Sequence, residues 1–340
     1  MARSFGLEMH LLSPQEALKY FPLMSLDGVV GASILPSDGE ADPAQLTMAM
    51  AKGARNAGVR IMEKTRARGV VLSGRRVTAV ETAGGPIECE TLVNAAGMWG
   101  RAFGLMAGVN VPLIPVQHQY LVSGPMPGAP RGYATMRDPD NLVYYKAEGG
   151  GMLMGGYEHG PIPWNTDGPP ADFESTLLEP NLEQFEPIMR GALLRTPAIE
   201  PAGVARFING PESFTTDGNC IMGPAPELDN YYVCAGFNAF GIAAGGGAGK
   251  MLAEWILAGR PELDLWAVDI RRFGRYHRDD AYLVPRTSEL YGKHYGMSWP
   301  HEEHDSAREV RTSPLYATLQ ARRAVFGQKF GWERPNWFAP

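Results

Sequence analysis

Tyr231-Tyr232-Val233-Cys234-Ala235-Gly236-Phe237-Asn238-Ala239-Phe240-Gly241 reads as an apolar strand that breaks at a tight turn and feeds a helix expected over Ile242 to Ala258. The start of that helix carries Gly241, Gly245, Gly246, Gly247 and Gly249. Glycine costs a helix up to about 1 kcal/mol per residue relative to alanine, so this density calls for a cause. Close approach of the backbone to a flat ligand is one cause, and tight packing against another backbone is the other; the segment alone does not choose. The helix start also offers unpaired N–H groups and a partial positive charge, which suit an anionic ligand.

Two neighbouring patterns lead nowhere. Ala244 to Met251 resembles a phosphate loop, but its first glycine and final Ser/Thr are missing, leaving only Gly249-Lys250. The chain contains no G-x-G-x-x-G dinucleotide fingerprint.

The 340 residues suffice for two or three domains with a large core. A net charge of −6, with 20% charged residues and only isolated basic pairs such as Arg271-Arg272 and Arg322-Arg323, provides no basic field for nucleic acid or an anionic membrane. No apolar run approaches the ~20 residues of a membrane span, and Met1 to His10 lacks the apolar core of a signal peptide. Three widely spaced cysteines, Cys89, Cys220 and Cys234, argue for a reducing compartment and against a disulfide framework or zinc ribbon. The expectation is a cytoplasmic globular protein, or one of the mitochondrial matrix if the source is eukaryotic.

Asp42-Pro43 marks a helix start, with Leu46, Met50 and Ala54 on one face and Gly58 at its end. Val59 to Met62 reads as a strand. Arg68 to Leu72, Val77 to Glu81 and Ile87 to Glu90 read as a small meander, and Thr91 to Asn94 as a buried strand ending in the tiny residues Ala95-Ala96-Gly97. This is half of a nucleotide-binding α/β domain, in which a cofactor rests at the carboxyl end of the sheet. From Val111 to Phe214 strands dominate (Val116 to Val122, Leu142 to Lys146, Met152 to Tyr157), with a helix over Glu179 to Leu194. The predicted fold class is therefore α/β (α+β): a Rossmann-like domain with an inserted antiparallel sheet, then a small linking domain. The expected segments are 1–110 and 215–259 for the nucleotide domain, 111–214 for the insert, 260–313 for the linker and 314–340 for the start of a further domain.

Val93-Asn94-Ala95-Ala96-Gly97-Met98-Trp99, Pro211-Glu212-Ser213-Phe214-Thr215-Thr216-Asp217-Gly218 and the glycine helix together resemble the D-amino-acid-oxidase-like flavoproteins. Leu12-Ser13-Pro14-Gln15-Glu16, His118-Gln119-Tyr120, Gly223-Pro224-Ala225-Pro226-Glu227-Leu228 and Gly331-Trp332-Glu333-Arg334-Pro335 narrow the likeness to the sarcosine and dimethylglycine dehydrogenase branch, over essentially the whole chain. In that family a strand–turn–helix with the dinucleotide fingerprint precedes this region, and a folate-binding aminomethyltransferase domain comes after it. The resemblance implies an internal fragment or truncated product, expected to bind FAD weakly or not at all and to aggregate.

The resemblance also implies chemistry: flavin-mediated oxidation of an N-methyl C–H bond in a small amino acid, giving an iminium that yields formaldehyde or passes its carbon to tetrahydrofolate. The electron acceptor would be an electron-transfer flavoprotein or oxygen. FAD would rest on Asn94, Ala96, Gly97 and Trp99, and on Asp217, Gly236, Phe237, Gly241 and Ile242. Asp217 also has the sequence of a turn cap, and Trp99 that of a core residue. His118 and Tyr120 alternate with Gln119 and so share one face of a strand; histidine titrates in the useful range and tyrosine donates to carboxylates or amines. They are the expected catalytic pair, with Tyr145, Tyr157 and Arg206 as substrate contacts. Ordinary packing is the competing reading for each. His301-Glu302-Glu303-His304-Asp305 lacks the i, i+4 histidines of a zinc helix and reads as a solvated loop, so no metal is expected. A non-catalytic regulatory subunit of the same architecture, or an inactive fragment, is the alternative.

Overall fold

A computed structural model describes residues 2–130, 132–170 and 172–340. In chain order it forms β1 (His10–Leu12), α1 (Pro14–Tyr20), β2 (Ala32–Ile34), α2 (Pro43–Asn56), β3 (Ala67–Ser73), β4 (Arg76–Thr82), β5 (Gly85–Glu88) and β6 (Leu92–Asn94). Then come α3 (Gly100–Met106), β7 (Leu113–Ser123), β8 (Met136–Asp138), β9 (Val143–Glu148), β10 (Gly151–Gly156), α4 (Leu182–Arg195) and β11 (Val204–Thr215). The remainder is β12 (Ile221–Pro224), β13 (Tyr231–Ala235), α5 (Gly241–Ala258), α6 (Asp280–Gly292), α7 (Tyr316–Ala321), β14 (Ala324–Lys329) and β15 (Trp332–Phe338). No helix among the described residues is long and apolar enough to cross a membrane.

The chain divides into two compact units, one of residues 1–61, 118–158 and 175–210, the other of residues 62–117, 159–174 and 211–340. The principal sheet of the first has the order β11-β7-β10-β9-β8. Its β7, β10, β9 and β8 are joined antiparallel. One face is covered by α1 and α4, where Phe21, Leu121, Val143, Tyr145, Met152, Met154, Phe185 and Ile188 form a continuous core. Gly191 of α4 and Gly156 of β10 let the turn at residues 139–142 come close: an added Cβ would fall on the Asn141 and Leu142 carbonyls respectively. Arg195 closes this unit with a 2.6 Å bond to the Asp138 carboxylate and a second to the Ser25 carbonyl.

The second unit contains the sheet β12-β13-β6, in which β13 and β6 run parallel, and the meander β3-β4-β5. Val109, Val111, Leu113, Ile221, Tyr231 and Val233 form its core. The buried Asn230 joins meander and sheet, accepting from Val77 N–H and donating to the Val77 and Glu90 carbonyls.

The Asp42-Pro43 start is realised: Asp42 accepts from Gln45 N–H at 2.8 Å and α2 begins there. Its expected apolar face is not buried, however, because no residue of α2 is, and Met48 and Met50 stand exposed. The expected strand over Val59 to Met62 is absent. A strand needs a hydrogen-bonded neighbour, and no described segment pairs with this one; Val59, Ile61 and Met62 are solvent-exposed.

Candidate functional site

The first unit carries a polar aromatic face on the side of its sheet away from the core. On β7, Leu121 points into the core, so His118 and Tyr120 point the other way. Tyr144 of β9 lies on the same face. His118 Nε2 and Tyr144 Oη stand 2.9 Å apart, a single hydrogen bond. Tyr157 stacks on the imidazole with ring centroids 4.5 Å apart and planes at 23°. Gly155 makes this arrangement possible. It pairs with Tyr144 on one side and Tyr120 on the other, and a Cβ there would come within 2.5 Å of the Tyr144 ring carbon Cζ and 2.8 Å of the Tyr120 Cβ. The phenol therefore crosses a strand at its glycine and reaches the histidine.

Of the expected residues, the structure groups His118, Tyr120 and Tyr157 here and excludes Tyr145. The pleat sends Tyr145 into the core, where it is 1% exposed and donates to the Ala192 carbonyl; burial pushes its phenol pKa upward. Tyr144, its neighbour, takes the place expected of Tyr145, and the signal for it is the glycine across the strand pair. Arg206 is exposed on β11, next to Phe207, which packs against the core. A cavity of about 540 Å³ near α1 and β8 is lined by Phe21, Val30, Met136, Asp138 and Arg195 and by none of the aromatic-face residues. Of its charged lining residues, Arg195 and Asp138 are paired with each other, and Arg137 and Asp140 stand at the same wall, away from the His118 face.

The second unit carries a different kind of site, built from backbone at the carboxyl ends of β6 and β13. Asn94 is 1% exposed; it accepts from Ala96 N–H at 3.2 Å and donates to the Gly100 carbonyl at 2.8 Å, shaping the turn through Gly97, whose φ is +55°. Trp99, half-buried, leads into α3. Gly236 has φ +65°, and a Cβ there would stand 2.7 Å from Thr215 Cγ2. The turn then passes through Phe237, packed against Met222, Ala248 and Leu252, to α5. The start of α5 has no side-chain cap and no acidic residue in its first turn.

The tight-packing explanation for the helix glycines does not hold: added Cβ atoms at Gly245, Gly246, Gly247 and Gly249 would meet nothing within 4 Å. Ile242, beside them, is 52% exposed. An uncapped helix start behind a bare glycine face fits a flat anionic group such as a flavin. Asp217, expected to touch the cofactor, caps its own turn by accepting from Asn219 N–H. Both of its oxygens are also taken by Arg272, at 2.6 and 3.0 Å. Sequence reasoning overlooked Asn238, whose buried amide holds the turn before α5.

No group of three or more metal-type ligands exists among the described residues. His304, in the His301 to Asp305 segment, stands 3.5 Å from Glu289. Burial alone would raise the Glu289 carboxyl, but hydrogen bonds from Lys293, Ser306 and the Asp305 and Ser306 amides outweigh it and bring the pKa to about 2. Cys89, Cys220 and Cys234 are free thiols.

Residues 1–255 match the family model described as FAD dependent oxidoreductase, and residues 258–313 match the FAD dependent oxidoreductase central domain. The chain is 38% identical to mitochondrial sarcosine dehydrogenase of Homo sapiens over 346 residues, covering 100% of this chain and 37% of the relative. It is 36% identical to the mitochondrial pyruvate dehydrogenase phosphatase regulatory subunit of Mus musculus, covering 98% of this chain and 38% of that protein. Among solved structures, L-proline dehydrogenase from P. horikoshii superposes with a TM-score of 0.70 at 27% identity, over 79% of this chain and 70% of that one. The chain thus spans less than two fifths of the length of the two curated relatives.

Proposed function

This chain belongs to the FAD dependent oxidoreductase family, and we propose that it serves the oxidative removal of an N-methyl group from a small amino acid, sarcosine or dimethylglycine. FAD is the cofactor of the family, and when bound it would take a hydride equivalent from the N-methyl carbon. Water then adds to the resulting iminium, releasing formaldehyde and the demethylated amine, unless the carbon passes to tetrahydrofolate. The acceptor of the electrons would be an electron-transfer flavoprotein or oxygen, and the compartment the cytoplasm or the mitochondrial matrix.

The observation that carries this reading is the His118–Tyr144 hydrogen bond, with Tyr157 stacked on the imidazole. An ammonium substrate must lose its proton before hydride can leave, and because Nε2 is the atom bonded to Tyr144, the Tyr144 oxygen would take that proton as its own passes to Nε2. Tyr120 and Tyr157 present ring faces that favour a methylammonium group, and Arg206 offers a charge for the carboxylate. In the other unit Asn94, Ala96, Gly97, Trp99, Gly236, Phe237, Gly241 and Ile242 would hold FAD. Asp217 would brace the turn through Arg272 without touching the cofactor. Segments 62–110 and 215–259 would then be the flavin part, 111–214 the substrate part together with residues 1–61, whose α1 covers the large sheet, 260–313 the link and 314–340 the start of a folate-binding part.

The test is the visible spectrum of the FAD-loaded protein before and after anaerobic addition of sarcosine or dimethylglycine. The bound flavin band should bleach, and His118→Gln or Tyr144→Phe should slow bleaching by about 10²-fold, the usual scale for a lost proton-transfer group. A bound flavin indifferent to both amines would refute the proposal.

A further inference from the structure

The turn between β13 and α5 is held in an unusual way. Asn238 and Ala239 both have left-handed backbones, with φ +50° and +70°. An L-residue there costs roughly 1–2 kcal/mol, which asparagine tolerates best, so two in succession require a restraint. Asn238 supplies it. Its side chain is buried, 2% exposed. It accepts from Thr215 N–H at 2.8 Å and donates to the Gly236 carbonyl at 2.7 Å. Its own N–H donates to the Ser213 carbonyl at 3.2 Å. One amide thus fastens the turn to the end of β11 and to the strand it has just left.

The turn leads into a helix of 18 residues whose N-cap, Phe240, offers no side-chain acceptor. Ala244 N–H to the Phe240 carbonyl is a first-turn backbone bond, so the amides before Ala244 point out of the helix end. Their influence on a nearby charge falls off within one turn. Where they stand is decided by residues 236–240, and hence by Asn238.

We propose that Asn238 is a positioning residue that sets the reduction potential of the flavin without touching it, by fixing where the N-terminal amides of α5 are presented. The proposal rests on the flavin-binding reading above. Reduction places negative charge on the flavin, so amides held toward it favour the reduced form, and amides that swing away favour it less.

The experiment is a reference-dye titration of the FAD-loaded full chain. Asn238→Gly keeps the left-handed turn easy and removes the clamp. It should lower the reduced-to-oxidised ratio about tenfold at a fixed ambient potential, a midpoint about 30 mV more negative for a two-electron couple. Ala239→Gly relieves strain and keeps the clamp, so its midpoint should equal the wild-type value while its thermal stability rises. Where Asn238→Gly does not hold flavin, Asn238→Asp replaces the donor to Gly236 by an oxygen, and its midpoint should also fall. A lowered melting temperature with an unmoved midpoint in either Asn238 variant means a merely structural clamp and overturns the proposal. A wild-type chain that takes up no FAD overturns the flavin reading itself and this proposal with it.

Discussion

A Cβ added at Gly155, in the sheet of the first unit, would strike the Tyr144 ring; one added at Gly246 or Gly247, in α5 of the second, would meet nothing within 4 Å. Both regions depend on glycine, yet for opposite reasons. In the sheet, glycine makes room for a side chain of the same protein, and that side chain completes a hydrogen bond to His118. In the helix, no side chain or backbone of the described residues uses the room. The first region is a candidate site made of side chains, the second a candidate site made of backbone, and the two should respond differently to the same substitution.

The sharpest way to break this comparison is Gly155→Ala. The methyl would push the Tyr144 ring aside and separate its hydroxyl from His118. Misplacement of about 1 Å at a reacting group costs on the order of 10²-fold, so substrate-dependent bleaching should slow by that much while the bound flavin spectrum is unchanged. If turnover is untouched, the phenol is not part of the chemistry.

Acid provides a second, intermediate contrast, because the strongly shifted histidine belongs to the second unit. Burial among Phe273, Tyr276 and Tyr282 pulls the His277 pKa down to about 4, against a weaker upward pull from its Gly274 hydrogen bond. The unfolded chain protonates near 6.5, so it binds the proton first. Stability from this group is complete above pH 6.5 and is lost as pH falls toward 4. The loss is on the order of 3 kcal/mol. Urea unfolding at stepped pH should show that slope, and His277→Phe should flatten it. Glu289 adds a separate loss in the same direction, below the ordinary carboxylate range and toward its own pKa of about 2.

The smallest effect is the one that sharpens the comparison most. Gly246→Ala and Gly247→Ala should each stabilise the flavin-free protein by about 0.5–1 kcal/mol, since helix propensity improves and nothing obstructs the methyl. The same variants should bind FAD more weakly if the bare face is a cofactor surface. Equal FAD affinity would reduce these glycines to a tolerated defect.

How much of this was legible beforehand depends on what each feature is made of. The Asp42-Pro43 helix start, the meander and the strand–turn–helix around Gly236 arise from local chemistry, and they stand where the residues put them. The choice between Tyr144 and Tyr145 does not. Both sit in one strand, and which faces His118 is fixed by pairing with Gly155, a neighbour in space that the strand itself does not announce. The burial of α2 and a strand at Val59 to Met62 were read from apolar periodicity, which shows what a segment could cover but not whether anything lies opposite. Asn238 was hidden by a different limit. Its role lies in three backbone partners that no side-chain pattern encodes.

The strand order of the large sheet also has a consequence in time. β8, β9 and β10 assemble from neighbouring stretches, but β11 is synthesised only after the chain has passed through α4. While the polypeptide emerges, β7 therefore keeps one edge open until residue 215 is available, and that late, non-local closure is the slow and sticky moment of folding. A nascent chain stalled inside α4 would hold the His118 side of the sheet nearly complete while still offering an edge to any other strand it meets.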